Sequence, residues 1–272
     1  MGTATARTRL GISGCGRAAR VHAERLVRLS EVEIVGFADP NPDAARGLAE
    51  HVRQLGGGIE IASFSDHREL LETLHPTALA IFTPHLQHYR PAMDALQAGC
   101  HVFIEKPLST NVQEAADIVS LARGRQLKVG VGHQYRLRPS LIEAKRMIEA
   151  GTIGRLGLVV ATLAQPWLSS HGGDENTWRF DPKVSGGGIL ADAGDHLLDA
   201  LLWTTGRVGV EVAAFQSKLD SGLDLVTAAA IRLTDGVQAT LSISGVSPAV
   251  QFEIDFFGDR GRLRATETGL EE

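Results

Sequence analysis

The chain of 272 residues lacks the features that mark several large classes of protein. It has only two cysteines, Cys15 and Cys100, and their spacing fits neither a disulfide framework nor a metal site. No apolar run reaches the roughly 18 to 20 residues that cross a bilayer. Residues 1–10 contain no apolar segment typical of a secretory signal. We therefore expect a cytoplasmic protein with no membrane partner.

The chain also lacks a strong excess of either charge. Lys and Arg number 27 against 32 Asp and Glu, so the formal net charge is −5. This balance provides no electrostatic attraction for nucleic acid or an anionic membrane. With 43% hydrophobic and 22% charged residues, the composition is that of a globular protein with one large or two modest domains.

Residues 8–132 alternate between short apolar runs and stretches with helical spacing. The runs that predict strands are 8–14, 32–39, 59–62, 78–84, 101–105 and 128–132. The stretches that predict helices are 17–29, 42–55, 66–74, 86–98 and 111–125. This alternation predicts an α/β domain at residues 1–132, with a doubly wound parallel sheet of the Rossmann type.

The pattern changes at residue 133. The segments that follow are a helix at 140–151, a strand at 156–164, a polar glycine-rich stretch at 165–188 and a helix at about 188–204. Four β-rich runs then come at 210–217, 224–234, 237–246 and 250–257, and their short turns suggest an antiparallel meander. We expect a second, α+β domain at residues 133–272 with a largely antiparallel sheet.

A glycine-rich loop stands where the first strand meets the first helix. It contains Gly14-x-Gly16-x-x-Ala19. Such a loop lets backbone N–H groups approach a pyrophosphate, which the helix N-terminus also favours. The alternative is a tight turn without a ligand. We predict that the loop and first helical turn bind a dinucleotide through Gly14, Gly16, Arg17 and Ala18.

The second strand ends in an acid at the spacing expected for ribose recognition. Asp39 lies 20 residues beyond Ala19, where a carboxylate can accept hydrogen bonds from the adenosine ribose hydroxyls. The next residues are Pro40, Asn41 and Pro42, so no adjacent base would neutralise a 2′-phosphate. This arrangement favours NAD over NADP as the cofactor.

Four segments, taken together and in order, resemble the Gfo/Idh/MocA oxidoreductases, which are NAD(P)-dependent dehydrogenases of sugars, cyclitols and related compounds. They are GCGRAA, FADPNPDAA, TPHLQHYRPAMDALQAGCHVFIEKPLS and GGGILADAGDHLLDALLW. The resemblance extends over almost the whole chain. It implies hydride transfer between a nicotinamide cofactor and a secondary alcohol of a sugar, cyclitol or sugar derivative.

The apolar run 101–104 ends abruptly in Glu105-Lys106-Pro107. Taken alone, this is a strand that ends at solvent. The resemblance implies that Lys106 is catalytic and lies between nicotinamide and substrate hydroxyl, with Glu105 beside the cofactor and a cis peptide before Pro107. A lysine at the carboxyl end of a parallel strand can stabilise charge that develops on the reacting oxygen.

A second cofactor segment follows the strand at 78–84. Thr83 and Pro84 match a family motif that lies along the cofactor, although His85 replaces the usual asparagine. His88 matches a frequent family histidine, and the resemblance implies a place in the cofactor site. A surface histidine near a helix N-terminus is the alternative for His88.

The helix at 188–204 carries Asp192 and His196, four residues apart and hence on one helical face. The resemblance implies that these are the catalytic Asp and His of a D-x-x-x-H motif, with His196 accepting the hydroxyl proton. Asp199 could orient His196 from the other side. A metal bound by Asp192, Asp195, His196 and Asp199 is the alternative, and hydride chemistry with a Lys and a His does not need one.

The polar stretch 165–188 suits recognition of a hydroxylated ligand. We expect that His171, Trp178 and Arg179 bind substrate, and the alternative is a solvated loop with one anchoring tryptophan. Arg136, in a segment that resembles a family motif at the domain junction, either reaches the site or forms a structural salt bridge.

Two other functions stay open at this point. One is a redox glycosidase or lyase that oxidises its substrate transiently with bound NAD, and the other is a non-catalytic NAD-dependent sensor. The family generally has more sheet and a closing segment after the position where this chain ends. The sequence is therefore that of a short member or of a truncated one, and we expect the closing segment to be missing and stability to be reduced. A homo-oligomer through the C-terminal sheet is also expected.

Overall fold

The computed structural model describes residues 7–56, 61–171 and 178–272. These residues divide into two compact units, Met1–Gly132 and His133–Glu272. Each unit has its own sheet and its own buried apolar core.

The first unit is built on a six-stranded parallel sheet, which confirms the predicted Rossmann-type fold. Its strands are β1 Thr8–Ser13, β2 Val32–Ala38, β3 Ala62–Phe64, β4 Ala78–Ile81, β5 His101–Ile104 and β6 Val129–Val131. Their order is β3-β2-β1-β4-β5-β6, so the direction of winding reverses between β1 and β4. The expected strand at 59–62 lies partly outside the described residues, and β3 begins at Ala62.

Within the described ranges, five α-helices connect the strands of the first unit. They are α1 Arg17–Leu26, α2 Pro42–Gln54, α3 His67–Leu74, α4 Tyr89–Gln97 and α5 Val112–Gly124. Side chains at the N-caps start three of them: Asn41 accepts from the N–H of Asp43, Asp66 from that of Arg68, and Asn111 from that of Gln113.

The sheet of the first unit is buried on both faces. Ile12, Ile81 and Ile104, on three neighbouring strands, have no exposed surface. Such continuous apolar strands are typical of parallel sheets covered by helices. Their carboxyl ends therefore form the edge at which chemistry-bearing residues gather.

The second unit has a seven-stranded, mostly antiparallel sheet. Its strands are β7 Leu156–Ala164, β8 Gly209–Lys218, β9 Asp224–Leu233, β10 Gln238–Ser244, β11 Gln251–Gly258, β12 Arg262–Thr266 and β13 Leu270–Glu271. They lie in the order β13-β12-β11-β7-β10-β9-β8.

The predicted meander of four strands is wrong at its last member. β8, β9 and β10 pair consecutively and antiparallel, but β11 pairs with β7. β7 runs parallel to β10 on its other side. This central place fits the burial of Val159, Ala161 and Leu163. Strands β12 and β13 lie beyond the four predicted runs.

The helices of the second unit also differ from the sequence expectation. They are α6 Pro139–Glu149, α7 Trp167–His171, α8 Pro182–Ser185, a π-helix Leu190–Gly194 and α9 Asp195–Thr205. The described part of the stretch 165–188 thus includes the short helices α7 and α8, and the single helix expected at 188–204 begins as a π-helix. None of the helices within the described ranges combines the length and the apolar content needed to cross a bilayer.

Candidate functional site

The glycine loop of the first unit leaves room for a ligand at the start of α1. Gly14 has φ +85°, and a Cβ there would lie 2.7 Å from the backbone of Phe82 and Thr83, so only glycine allows this contact. A Cβ on Gly16 would meet open space. Gly16 is the N-cap of α1, so no side chain at the N-cap accepts a hydrogen bond from the first N–H groups of the helix. Arg17 and Ala18, the first helical residues, are exposed.

These features fit the pyrophosphate of a dinucleotide. The uncapped N–H groups at the start of a helix carry partial positive charge, and the open space beside Gly16 lets an anion approach them. The residues present therefore fit the nicotinamide cofactor that the sequence predicts.

Asp39 follows β2 and lies against the glycine loop. Its Oδ2 accepts the N–H of Cys15 at 2.8 Å, and its Oδ1 accepts the N–H of Asn41 at 2.8 Å. A carboxylate has about four lone-pair sites, so it retains acceptor capacity for ribose hydroxyls. Burial, reinforced by the charge of Asp39, raises the pKa of the Cys15 thiol to about 12. Cys15 is therefore a neutral small residue in the loop.

The turn after β5 holds Glu105 and Lys106 at the carboxyl edge of the sheet. The Lys106–Pro107 peptide bond is cis, which confirms the expectation from the family resemblance. Nε2 of His22 lies 3.0 Å from Oε1 of Glu105. Burial raises the pKa of Glu105, but the hydrogen bond and charge of His22 outweigh it, so this pKa lies below its usual value.

His22 is a residue that the sequence reading missed. Its ring lies 4.8 Å from that of Phe82 and 5.6 Å from that of Phe103, measured between centroids. His22 lies on α1 next to the buried Ala23. A polar residue beside the apolar face of a helix was the feature of the sequence that could have pointed to it.

His88 connects the two turns predicted to bind the cofactor. Its side chain is fully buried, with Nδ1 2.7 Å from the carbonyl oxygen of Pro107 and Nε2 2.9 Å from that of Thr83. Burial lowers the pKa of His88 although both carbonyls oppose the shift. The ring thus links the Thr83-Pro84 turn to the Glu105-Lys106-Pro107 turn, and direct contact with the cofactor stays a prediction.

In the second unit, Asp192 lies on the π-helix and is buried. Its Oδ2 accepts the indole N–H of Trp167 at 2.8 Å and the Nε–H of Arg179 at 3.0 Å. The structure thus brings together Asp192 and Arg179, which the sequence singled out separately. The guanidinium of Arg179 also lies 4.3 Å from the ring centre of Trp178. Nδ1 of His171 lies 3.0 Å from the carbonyl oxygen of Trp167.

His196 lies in the first turn of α9 and is 7% exposed. The ring of Tyr135 stacks on its imidazole, with centroids 4.6 Å apart and planes 16° from parallel. The ring of His133 meets it edge-on at 6.0 Å. Neither Tyr135 nor His133 was singled out from the sequence, because both contacts join segments about 60 residues apart.

The other two carboxylates of α9 pair with His133 and Arg136, and the orienting role expected for Asp199 stays a prediction. Oδ2 of Asp195 lies 2.8 Å from Nε2 of His133. Arg136 donates through Nε to Oδ2 of Asp199 at 2.8 Å and through a second nitrogen to Oδ1. Arg136 therefore forms the salt bridge that was its alternative interpretation. Within the described ranges, no group of three His, Cys, Asp or Glu side chains could hold a metal ion.

The start of the π-helix is fixed by an acid from β9. Oδ1 of Asp224 accepts the N–H of Gly188 at 2.8 Å, and Oδ2 accepts that of Leu190 at 2.7 Å. A Cβ on Gly188 would lie 1.9 Å from the carbonyl oxygen of Asp224, so only glycine fits there. Asp224 thereby positions the segment that carries Asp192 and His196.

The chain is similar to three known proteins along most of its length. It is 31% identical to a levoglucosan dehydrogenase of Pseudarthrobacter phenanthrenivorans over 63% of this chain and 42% of that protein. The crystal structure of GenD2 from gentamicin A biosynthesis, in complex with NAD, gives a TM-score of 0.86 at 21% identity, covering 97% of this chain and 74% of that one. A scyllo-inositol dehydrogenase of Lactobacillus casei, with NAD(H) and scyllo-inositol bound, gives 0.82 at 22% identity, covering 98% and 82%.

Two family models match consecutive parts of the sequence. The chain covers 42%, 55% and 64% of three curated relatives, so it corresponds to about half of their length. The model of the oxidoreductase family with an NAD-binding Rossmann fold matches residues 8–133, and that of the GFO/IDH/MocA C-terminal domain matches residues 141–264. The chain therefore belongs to the Gfo/Idh/MocA family of oxidoreductases.

Proposed function

We propose that the protein is an NAD-dependent dehydrogenase that oxidises a secondary alcohol of a sugar, cyclitol or sugar derivative. The observation that carries this proposal lies within the first unit. Lys106 follows β5 at the same sheet edge as the glycine loop after β1, with β4 between the two strands. A cationic side chain beside a dinucleotide cradle suits polarisation of a hydroxyl oxygen during hydride transfer.

NAD, when bound, supplies the acceptor for the hydride. Three elements hold it in this proposal: the loop Gly14–Gly16, the first turn of α1 with Arg17 and Ala18, and the carboxylate of Asp39. The other residues proposed to bind NAD are Thr83, Pro84, His88 and Glu105. The preference for NAD over NADP rests on Asp39, whose charge repels a 2′-phosphate and which already contacts the loop through Cys15.

The residues of this chain divide the remaining work. His196 accepts the hydroxyl proton through a ring nitrogen. Lys106 donates a hydrogen bond to the oxygen as its negative charge increases. Asp192, held by Trp167 and Arg179, orients His196 and binds substrate hydroxyls.

The proposed substrate class is supported by the names of relatives and by polar side chains near Asp192. The relatives' names point to sugars and cyclitols. Arg179, Trp178 and His171 are proposed to bind the hydroxylated ligand, since a planar indole suits a sugar face and a guanidinium suits hydroxyl or carboxylate oxygens. Arg136 is committed to Asp199 and contributes indirectly.

We also propose that the chain forms a homo-oligomer through its second sheet. β8 is the edge strand, all ten of its residues are exposed, and the Phe215 side chain is 86% exposed. Phe215→Lys should reduce the sedimentation coefficient if this surface is the interface. A coefficient that stays the same would contradict the proposal.

The experiment that tests the activity is absorbance at the reduced-nicotinamide band, with NAD and a panel of sugars, cyclitols and sugar acids. Lys106→Met should lower turnover by about a hundredfold or more while NAD affinity stays within about threefold. Lys128→Met is the matched control, because Lys128 precedes β6 at the opposite edge of the sheet. Equal losses in both variants would refute the role of Lys106.

The same assay separates the remaining possibilities. Absorbance that rises with one compound establishes a net dehydrogenase. Glycoside cleavage without accumulation of NADH would instead show a redox glycosidase or lyase. NAD binding with neither activity would point to a sensor, and would refute the proposed dehydrogenase.

A further inference from the structure

An aromatic column packs against the imidazole of His196 within the second unit. Tyr135, in the short 3-10 turn Gln134–Leu137, stacks on His196 with nearly parallel planes. Phe252 of β11 meets the Tyr135 ring edge-on, with centroids 5.0 Å apart and planes at 88°. The guanidinium carbon of Arg138 lies over the Tyr135 ring, 3.8 Å from its centre.

The geometry requires that His196 and Arg138 occupy opposite faces of Tyr135. Their distances from the Tyr135 ring centre are 4.6 Å and 3.8 Å. One face of a phenol ring cannot hold an imidazole and a guanidinium this close to its centre without overlap. The order in the column is therefore cation, phenol ring, imidazole.

The surroundings of the column are charged but paired. Arg138 contacts Glu267 at 3.5 Å and also lies 4.2 Å from the ring centre of Phe252. Burial raises the pKa of the Tyr135 phenol, so its ring is neutral around neutral pH. Tyr135 therefore presents an aromatic surface rather than a phenolate to the imidazole.

Around His196 itself, the titratable neighbours come from two directions. His133 meets the imidazole edge-on and has carboxylates near both of its own nitrogens, Asp195 at 2.8 Å and Asp199 at 3.7 Å. Asp192 lies four residues before His196 on the π-helix, where it pairs with Arg179. The imidazole of His196 therefore has ionisable neighbours on its other sides, and the ring of Tyr135 covers one of its faces.

We propose that Tyr135 is a positioning residue for His196: its ring fixes the plane in which the imidazole lies, and Arg138 fixes the Tyr135 ring from the far side. This inference rests on the proposed function, in which His196 accepts a proton. The second side-chain torsion of histidine is intrinsically broad, so the helix alone does not set the direction of the ring nitrogens. A parallel aromatic face on the imidazole restricts that torsion.

A planar platform makes a different prediction from simple core packing. A core position tolerates another apolar side chain of similar volume, whereas stacking requires a flat ring. Phenylalanine keeps the ring and loses only the hydroxyl, while leucine loses the ring. A misdirected base slows the chemical step more than it weakens binding of the ground state.

The kinetic test uses the full chain, NAD and the compound oxidised fastest in the panel. Tyr135→Leu should lower kcat by about 10- to 100-fold with KM within about threefold, and Tyr135→Phe should keep kcat within about threefold. Trp203→Leu is the control. Trp203 lies on α9, the helix of His196, about 10 Å further along the helix axis, and its ring contacts a different cation, Lys145. We expect it to retain kcat.

The spectroscopic test needs no substrate. The Cε1 proton of His196, assigned by its loss in His196→Asn, should be shifted upfield by the Tyr135 ring current in the wild type and in Tyr135→Phe. It should move downfield in Tyr135→Leu. If the chain oxidises nothing while this resonance behaves as expected, the proposed function fails and the stacked platform stands.

Three results would overturn the positioning role. The first is a Tyr135→Leu variant with wild-type kcat, and the second is a Tyr135→Phe variant as impaired as Tyr135→Leu, which would assign the effect to the hydroxyl. The third is a His196 resonance that Tyr135→Leu leaves in place. If Tyr135→Leu does not fold, Arg138→Met decides: a fall in kcat with a shifted His196 resonance supports the column, and no change in either refutes it.

Discussion

Nε2 of His22 lies 3.0 Å from Oε1 of Glu105, and this contact joins the first helix of the chain to the turn that carries Lys106. The side chains are only 32% and 21% exposed. This polar pair therefore links the helix that begins at the glycine loop to the turn proposed for hydride chemistry. Loss of that pair should affect both stability and activity.

We expect His22→Leu to lower the free energy of unfolding by about 1–2 kcal/mol near neutral pH, since it leaves a largely buried carboxylate without its partner. The pKa of Glu105 in the folded protein lies below its usual value, so the stabilisation exists above that usual value and is lost as the pH falls through the folded pKa. Urea denaturation should show a difference from the wild type that narrows in acid.

The matched control for this prediction is His51→Leu. His51 forms a similar contact with Glu24, 2.7 Å long, but that carboxylate is 39% exposed. An exposed pair contributes little to stability, because solvent screens its charges. If His51→Leu destabilises the protein as much as His22→Leu does, the special role of the Glu105 contact is refuted.

Asp39 should determine which nicotinamide cofactor binds. Asp39→Ser removes the charge opposed to a 2′-phosphate and the strong acceptor for ribose hydroxyls. We expect NAD to bind about tenfold more weakly and the ratio of NADP to NAD affinity to rise. Titration calorimetry with both cofactors measures the two constants.

Asp43→Ser provides the comparison for Asp39→Ser. Asp43 lies in the first turn of α2 and pairs with Arg46 in solvent. The Asp43→Ser variant should leave the ratio of NADP affinity to NAD affinity unchanged. Unaltered selectivity in Asp39→Ser would contradict the proposed preference for NAD.

The parallel fold could be predicted from the sequence because its signal is local. Alternation of apolar runs and helical spacing from residue 8 to residue 132 defines strands whose partners follow from right-handed crossovers. The pairing partners of β7 could not be predicted, because no short turn connects this strand to β10 or β11. Its central position instead buries the side chains of Val159, Ala161 and Leu163. The π-helix at 190–194 was missed for a similar reason, since its backbone is held by Asp224, more than thirty residues away.

The candidate site could be predicted where a motif names its residues, and less well where residues act through contacts. Gly14, Asp39 and Lys106 stand at strand ends whose positions the sequence indicates. Tyr135 and His22 belong to no such pattern, and only the folded chain brings them to their partners. Arg136 shows the same limit, because its salt bridge to Asp199 depends on how a turn packs against α9.

Asp224 should be important for stability, although it lies outside every motif. Asp224→Ala leaves the N–H groups of Gly188 and Leu190 without their acceptors in a largely buried place. We expect a loss of about 2–4 kcal/mol in the free energy of unfolding, measured by urea denaturation, together with reduced kcat.

A smaller change at the same position separates charge from shape. Asp224→Asn keeps one acceptor oxygen and should restore about half of the stability lost in Asp224→Ala. Equal stability of Asp224→Ala and the wild type would show that the start of the π-helix does not need this acid.

Cys15 should be unreactive in spite of its place in a ligand-binding loop. Its pKa of about 12 leaves almost no thiolate near neutral pH, so alkylation should be slower than that of a free thiol by roughly a thousandfold. Iodoacetamide labelling followed by mass spectrometry measures the rate at each cysteine. Cys100, whose pKa burial also raises, is the internal comparison.

Urea-unfolded protein should label rapidly at both cysteines, which shows that the reagent is competent. Rapid labelling of Cys15 in the folded protein would mean that its thiol is ionised. The loop around Asp39 would then differ from the arrangement described above.

The central position of β7 has a consequence for the order in which the second sheet forms. Val159 pairs with Ala239 on one side and Phe256 on the other, so its partners lie about 80 and 97 residues later in the chain. Closing loops of this size costs entropy and slows folding. A chain still growing on the ribosome would expose both edges of this central strand until β10 and β11 emerge, and aggregation during synthesis would begin at that strand.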